Sequence, residues 1–117
     1  MENIVKNKSY AFALRVVKLY QHMVKEKSEY VLSKQILRSG TSIGANVVES
    51  EHAQSKKDFL SKINIALKEA NETVYWLDLL FDAGYIDANA HKSLKQDSTE
   101  LVKLLASIVK TLKEKRN

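Results

Sequence analysis

Glu49-Ser50-Glu51-His52 spells E-x-x-H, a spacing that sets a carboxylate and an imidazole on one helix face. Di-iron helical bundles use that pattern to supply a bridging glutamate and a histidine, and Glu69 and Glu72 would complete part of such a site. The chemistry also needs a second E-x-x-H and two more inward glutamates. The chain offers instead only Glu26, at the end of the first helix, and Glu100, in the last. Arg15 and His22, seven residues apart, share a helix face as the arginine–histidine pair of a helical ribonuclease does. Such pairs arise often by chance in basic helices. The sequence has no glycine-rich phosphate loop, no zinc pattern and no serine–histidine–acid signature. No catalytic residue, metal ligand or cofactor is assigned, and the expectation is a protein that is not an enzyme.

A second polar constellation reads better as structure. Arg38, Ser42, Asn46 and Glu49 recur at helical spacing on one segment, and Glu69 and Glu72 on the next. If these faces meet, Arg38 pairs bidentately with Glu72 or Glu69, and Ser42 and Asn46 satisfy the remaining lone pairs. Desolvation offsets most of the Coulomb gain of a buried pair, so the expected use is to fix helix register or subunit orientation. Tyr75 and Trp76 lie off the core row of their helix and are expected to be oligomer contacts. Tyr10, Tyr20 and Tyr30, beside leucines, read as core or interface anchors rather than base-stacking platforms.

The elements that must position these groups are helical. The 117 residues suffice for one domain, 1–117, with a real core. There is no proline, only three glycines, and an abundance of lysine, leucine, alanine and glutamate. The spacing of Phe12, Val16, Leu19, Tyr20 and Met23 predicts a first helix from about residue 8 to 26. Ser28 is the expected N-cap of a second helix over about 30–53, with Leu32, Ile36, Ile43 and Val47 in its apolar row. Gly40 and Gly44 fall within that helix. The apolar period stays in phase across them, so the reading is one helix with a close crossing rather than a break. Ser55 with Asp58 forms a capping box for a third helix whose core row is Phe59, Ile63, Ala66, Ala70, Thr73, Leu77 and Leu80. Gly84 ends it and Asp87 caps a fourth, whose seam is Leu94, Leu101, Leu105, Ile108 and Leu112. Short connections between long helices predict an all-α, antiparallel up-down-up-down four-helix bundle.

Charge is unevenly placed. Nineteen Lys and Arg face fourteen Asp and Glu. Residues 1–27 hold six cations against two acids, and residues 87–117 seven against four. The basic terminal helices can attract a polyanion, although lysines also solvate exposed faces of any small protein. Absence of cysteine removes disulfides and thiolate chemistry and fits a reducing compartment. The start, MENIVKNKSY, has no apolar signal-peptide region, and no run approaches the ~18 apolar residues of a membrane span. The expected location is cytoplasmic, without membrane.

The run QILRSGTSIGANVVESEHA, followed by KKDFLSKINIALKEANETVYWLDLL, closely resembles the four helix bundle proteins also called 23S rRNA-intervening sequence proteins. An R-S-x-x-S-I-x-x-N core, acids after it, a D-F…A-x-x-E run and an aromatic-rich third helix recur there. Here they fall on Arg38, Ser39, Ser42, Ile43, Asn46, Glu49, Asp58, Phe59, Ala66, Glu69, Glu72 and Trp76. Glu49-Ser50 departs from the glutamate-glycine or glutamate-alanine often seen, which bears on local packing. The resemblance implies a bundle that assembles into a homopentamer, from a family first noticed in insertions within large-subunit ribosomal RNA genes. It extends to the accessory variability protein of diversity-generating retroelements, which is basic, pentameric and associated with nucleic acid and a reverse transcriptase. No catalytic activity is established for the family.

The expected function is a non-enzymatic oligomeric module that binds RNA or DNA through phosphates, without base-specific readout. Lys6, Lys8, Arg15 and Lys18 of the first helix, with Lys103, Lys110, Lys113 and Arg116 of the last, would supply the basic face. The second reading is a structural adaptor whose partner is a protein.

Overall fold

Capping residues mark the starts of the first, third and fourth helices in the computed structural model, which describes residues 3–115. Four helices form: α1 (Ile4–Lys27), α2 (Leu32–Ser50), α3 (Lys56–Asp82) and α4 (Ala88–Glu114). No strand occurs among the described residues. Asn3 caps α1 by accepting from the Lys6 amide, and Ser55 and Asp87 cap α3 and α4 by accepting from the amides of Asp58 and Ala90. The Asp58 carboxylate reaches back to the Gln54 amide at 3.2 Å, closing the start of α3 from both sides. Gly84, at φ +85°, ends α3 with the Tyr85 amide donating to the Leu80 carbonyl, a left-handed turn that a Cβ would strain.

The turn between α1 and α2 is built differently from the sequence expectation. Ser28 does not start α2. It terminates α1 in the left-handed conformation, φ 52°, with its amide on the Met23 carbonyl. The cap of α2 is Glu29, whose buried carboxylate accepts from the amides of Val31, Leu32 and Ser33 at 3.0, 2.9 and 2.7 Å. Burial alone would raise this carboxyl. The three amides and the Ser33 hydroxyl outweigh it and hold Glu29 below its ordinary value. A glutamate four residues ahead of a serine is not the usual capping order, which is why Ser28 looks the better candidate in sequence. α1 also begins earlier than expected, at Ile4, and α2 ends earlier, at Ser50.

α2 packs against both α1 and α3, α3 against α4, and α4 meets α1. The core holds Phe12, Val16 and Met23, then Ile36, Ile43 and Val47, then Ile63, Leu77 and Leu80, then Leu101 and Leu105, all essentially sealed from solvent. Burial of each large apolar side chain contributes about 1.5–3 kcal/mol. Phe59, Ile108 and Leu112, expected in the core rows, are half-buried at its edge. Leu60 and Val109 occupy the buried positions beside Phe59 and Ile108, and Ser98 is buried between Leu94 and Leu101. The buried hydroxyls are satisfied: Thr73 lies 2.9 Å from Ser39 Oγ across the α2–α3 seam, and Ser98 donates to the Ala70 carbonyl across α3–α4.

α2 is continuous through both glycines. They let α1 and α2 approach until a Cβ on Gly40 would meet Val16, and one on Gly44 would touch the Ser9 backbone.

Candidate nucleic-acid interface

The two terminal helices lie side by side, so their charges are arranged by a shared seam. From α1, Arg15 donates to Asp97 at 2.6 Å and to Ser93 at 2.9 Å, and Lys8 pairs with Glu100 at 3.2 Å. Lys6, at the same end of α1, pairs with Glu51 beyond α2. The opposite edge of α4 faces α3, where Asp78 takes both His91, at 2.7 Å, and Lys95, at 3.0 Å. Burial would raise Asp78. The bonds from His91 and Lys95 outweigh that and hold its carboxyl below the ordinary value. The His91 ring stacks on Phe81, with centroids 4.4 Å apart.

The predicted basic set thus divides in two. Lys6, Lys8 and Arg15 are committed to carboxylates of neighbouring segments. Lys18, Lys103, Lys110 and Lys113 are exposed and make no ion pair among the described residues. Arg116 lies outside the described residues. Sequence reasoning missed Lys92, which continues the α4 set one turn after the helix start. It also missed Lys56, Lys57 and Lys115, which line a cavity of about 550 Å³ floored by Leu60 and Leu112. The signal for Lys92 was its spacing from Lys103 and Lys110, which keeps all three on one face. The second group joins the start of α3 to the end of α4 and has no local sequence signal.

The polar face shared by α2 and α3 forms, with different partners from those expected. Arg38 bridges Glu69 at 3.2 Å and Glu72, while Gln35 also contacts its guanidinium. Ser42 and Asn46 do not reach the carboxylates. Their side chains bond back to the carbonyls of Arg38 and Ser42 on their own helix. The Trp76 indole donates at 2.9 Å to the same Glu72 oxygen, Oε2, that Arg38 contacts, and together they outweigh burial and lower the Glu72 carboxyl. Glu49 turns to Lys62, at 3.2 Å. The seam is not deeply buried, since the Arg38 side chain remains 48% exposed.

Comparison with known proteins fits this architecture. The model of the 23S rRNA-intervening sequence protein family matches residues 1–107. The chain belongs to that family. A solved structure from Bacteroides thetaiotaomicron, described as a protein of unknown function from the S23 ribosomal protein family, is 60% identical. The match covers 92% of this chain and 99% of that one, with a TM-score of 0.91. No curated protein matches the chain.

Family membership gives the central motif a physical reading in this chain. Arg38 ties α2 to α3, Ser39 meets Thr73 in the core, Ile43 is fully buried, and Asp58 and Phe59 open α3. Each makes a helix–helix contact, fills the core or opens a helix. Trp76 packs its ring edge-on to Tyr75, with centroids 5.0 Å apart, and rests against the core, whereas Tyr75 is 60% exposed. No helix of the described residues is long and apolar enough to cross a membrane.

Proposed function

We propose that this 23S rRNA-intervening sequence protein is a non-enzymatic, self-associating helical module that binds RNA or DNA through the phosphate backbone. The observation that carries the reading is the asymmetry of the terminal helices. Lys103, Lys110 and Lys113 stand exposed on α4 without carboxylate partners among the described residues, and Lys18 does so on α1. Uncompensated cations on a rigid helix face attract phosphates irrespective of base, and they select neither a small ligand nor a reaction. Titrating the protein into a labelled structured RNA at low and at physiological salt tests this. Tight binding that weakens steeply with salt supports it, and absence of binding at low salt rejects it.

The bundle is up-down-up-down in this reading. Consecutive helices pair opposite ends: early Lys6 meets Glu51 past the end of α2, and late Asp78 of α3 meets His91 and Lys95 early in α4. Arg38, in the first half of α2, meets Glu69 and Glu72 at and beyond the middle of α3. Self-association is supported by apolar groups left on two separate faces. Tyr10 and Val48, 67% and 43% exposed, flank a groove between α1 and α2 that also includes Ala13 and Ala45. Ile65 and Tyr75 stand out on α3 beside the Arg38 network. Unlike faces joined head to tail close into a ring when the rotation between subunits returns on itself, and five subunits is the number that the family resemblance implies. The cytoplasm is the proposed location.

A purely structural adaptor with a protein partner is the second reading. The α1–α2 groove favours it, because Tyr10, Ala13, Gly44, Ala45 and Val48 give it an apolar surface, with Lys6, Asn7, Ser9 and Thr41 as its polar lining.

A further inference from the structure

Seen along its axis, α4 carries an outward row formed by Lys92, Gln96, Thr99, Lys103, Ala106, Lys110 and Lys113, at alternating spacings of four and three. That spacing holds one face of a helix. All four lysines are exposed and free of ion pairs among the described residues, and no acid interrupts the row before Glu114 follows it. Two acids stand on the flank toward α1, Asp97 and Glu100. Each is covered by a cation from the other helix, Arg15 at 2.6 Å and Lys8 at 3.2 Å. On the flank toward α3 the acid is Asp78, occupied by Lys95 and His91.

We propose a division of labour between the terminal helices: the α4 row contacts nucleic-acid phosphates, while Arg15 and Lys8 act as positioning residues that neutralise Asp97 and Glu100 and touch no phosphate. This rests on the nucleic-acid reading above and specifies its site. A guanidinium whose charge is neutralised by a carboxylate at 2.6 Å attracts a phosphate less than an unpaired lysine does, even with N–H donors to spare. Removing it would leave an uncompensated carboxylate beside the row, repelling any polyanion that approached. The row also fixes the kind of ligand. Lys92 to Lys113 spans about 31 Å at ~1.5 Å per residue, close to the ~34 Å of one duplex turn. Lys92 and Lys103 are about 16 Å apart on the same measure, too far for one mononucleotide to bridge. The ligand is therefore a continuous phosphodiester chain.

The test is fluorescence anisotropy with a labelled 20-nucleotide single-stranded RNA, and DNA of the same sequence, over a salt series. Three variants are compared: Lys92→Gln/Lys103→Gln/Lys110→Gln, Arg15→Gln, and Arg15→Gln/Asp97→Asn. Circular dichroism confirms that each folds, as expected for exposed side chains. The lysine triple variant should weaken binding by about tenfold or more at low salt and reduce the salt slope by about 2, at ~0.7 per phosphate contact. Arg15→Gln should weaken binding several-fold, and adding Asp97→Asn should return it to near the wild-type affinity with the wild-type slope. A double variant as weak as Arg15→Gln alone would overturn the shielding role and make Arg15 a direct phosphate ligand. Wild-type affinity in the lysine triple variant would overturn the α4 row as the site, leaving nucleic-acid binding itself intact. Failure of the wild-type protein to bind these strands and the structured RNA alike would instead remove the parent reading.

Discussion

Gly40 and Val16 hold α1 and α2 at their closest approach: a Cβ added to Gly40 would fall 2.8 and 2.9 Å from the two Val16 methyl carbons. Val16 is fully buried and β-branched, so it cannot swing aside without disturbing its neighbours. Gly44, one turn on, has looser surroundings, with its nearest neighbour at 3.4 Å.

The two glycines should therefore respond differently to alanine. Each substitution gains about 1 kcal/mol of helix propensity. At position 40 overpacking, at about 1–3 kcal/mol, offsets or exceeds that gain, so Gly40→Ala should be neutral to destabilising. Gly44→Ala should be neutral to stabilising by up to about 1 kcal/mol. Urea denaturation of both variants checks the order. A Gly40→Ala protein more stable than Gly44→Ala would contradict the close crossing.

Glu29 gives the fold a defined acid sensitivity. Its carboxyl is lower in the folded chain than the ordinary value of 4.5, so the folded state binds its proton less readily than the unfolded chain does. Its stabilisation is complete above that ordinary value and is lost as pH falls through the folded value. Glu29→Gln should lower the thermal midpoint at pH 7, and the gap between variant and wild type should narrow below about pH 4. Melting curves across pH 3–7 measure it. A gap that stays constant would rule out the ionised carboxylate as the cap.

The Arg38 network should matter more for assembly than for monomer stability. With Arg38 half-exposed, its ion pairs are worth about 0–1 kcal/mol each. Arg38→Met with Glu69→Gln and Glu72→Gln should shift the melting midpoint little while weakening self-association. Tyr75→Lys, which places a charge on the exposed ring position beside this network, should do the same. Analytical ultracentrifugation reads the outcome. Unchanged assembly in both variants would remove this face from the subunit interface.

Much of the architecture was legible in the sequence because its signals are local. Ser55, Gly84 and Asp87 act within one turn of chain, and a row such as Ile36, Ile43 and Val47 shows its period directly. Glu29 was not legible as a cap because its side chain serves three amides from outside the usual capping position, with Ser28 beside it as a more conventional candidate. The pairing of Arg38 with Glu69 and Glu72 followed from spacing alone. Partners chosen by side-chain reach did not: Ser42 and Asn46 prefer their own backbone, and Trp76 donates to the Glu72 carboxylate they were expected to satisfy. The basic face was readable as an excess of charge, but which lysines are committed depends on Asp97 and Glu100 lying across a seam from residues more than eighty positions away.

The most direct measurement of the central claim is the salt dependence of binding for two single-stranded RNAs of unrelated sequence. Four phosphate contacts along α4 predict a slope of log Kobs against log salt near −3, at about −0.7 per contact, with similar affinities for both strands. A flat salt dependence, or strong preference for one sequence, would contradict backbone recognition by the lysine row.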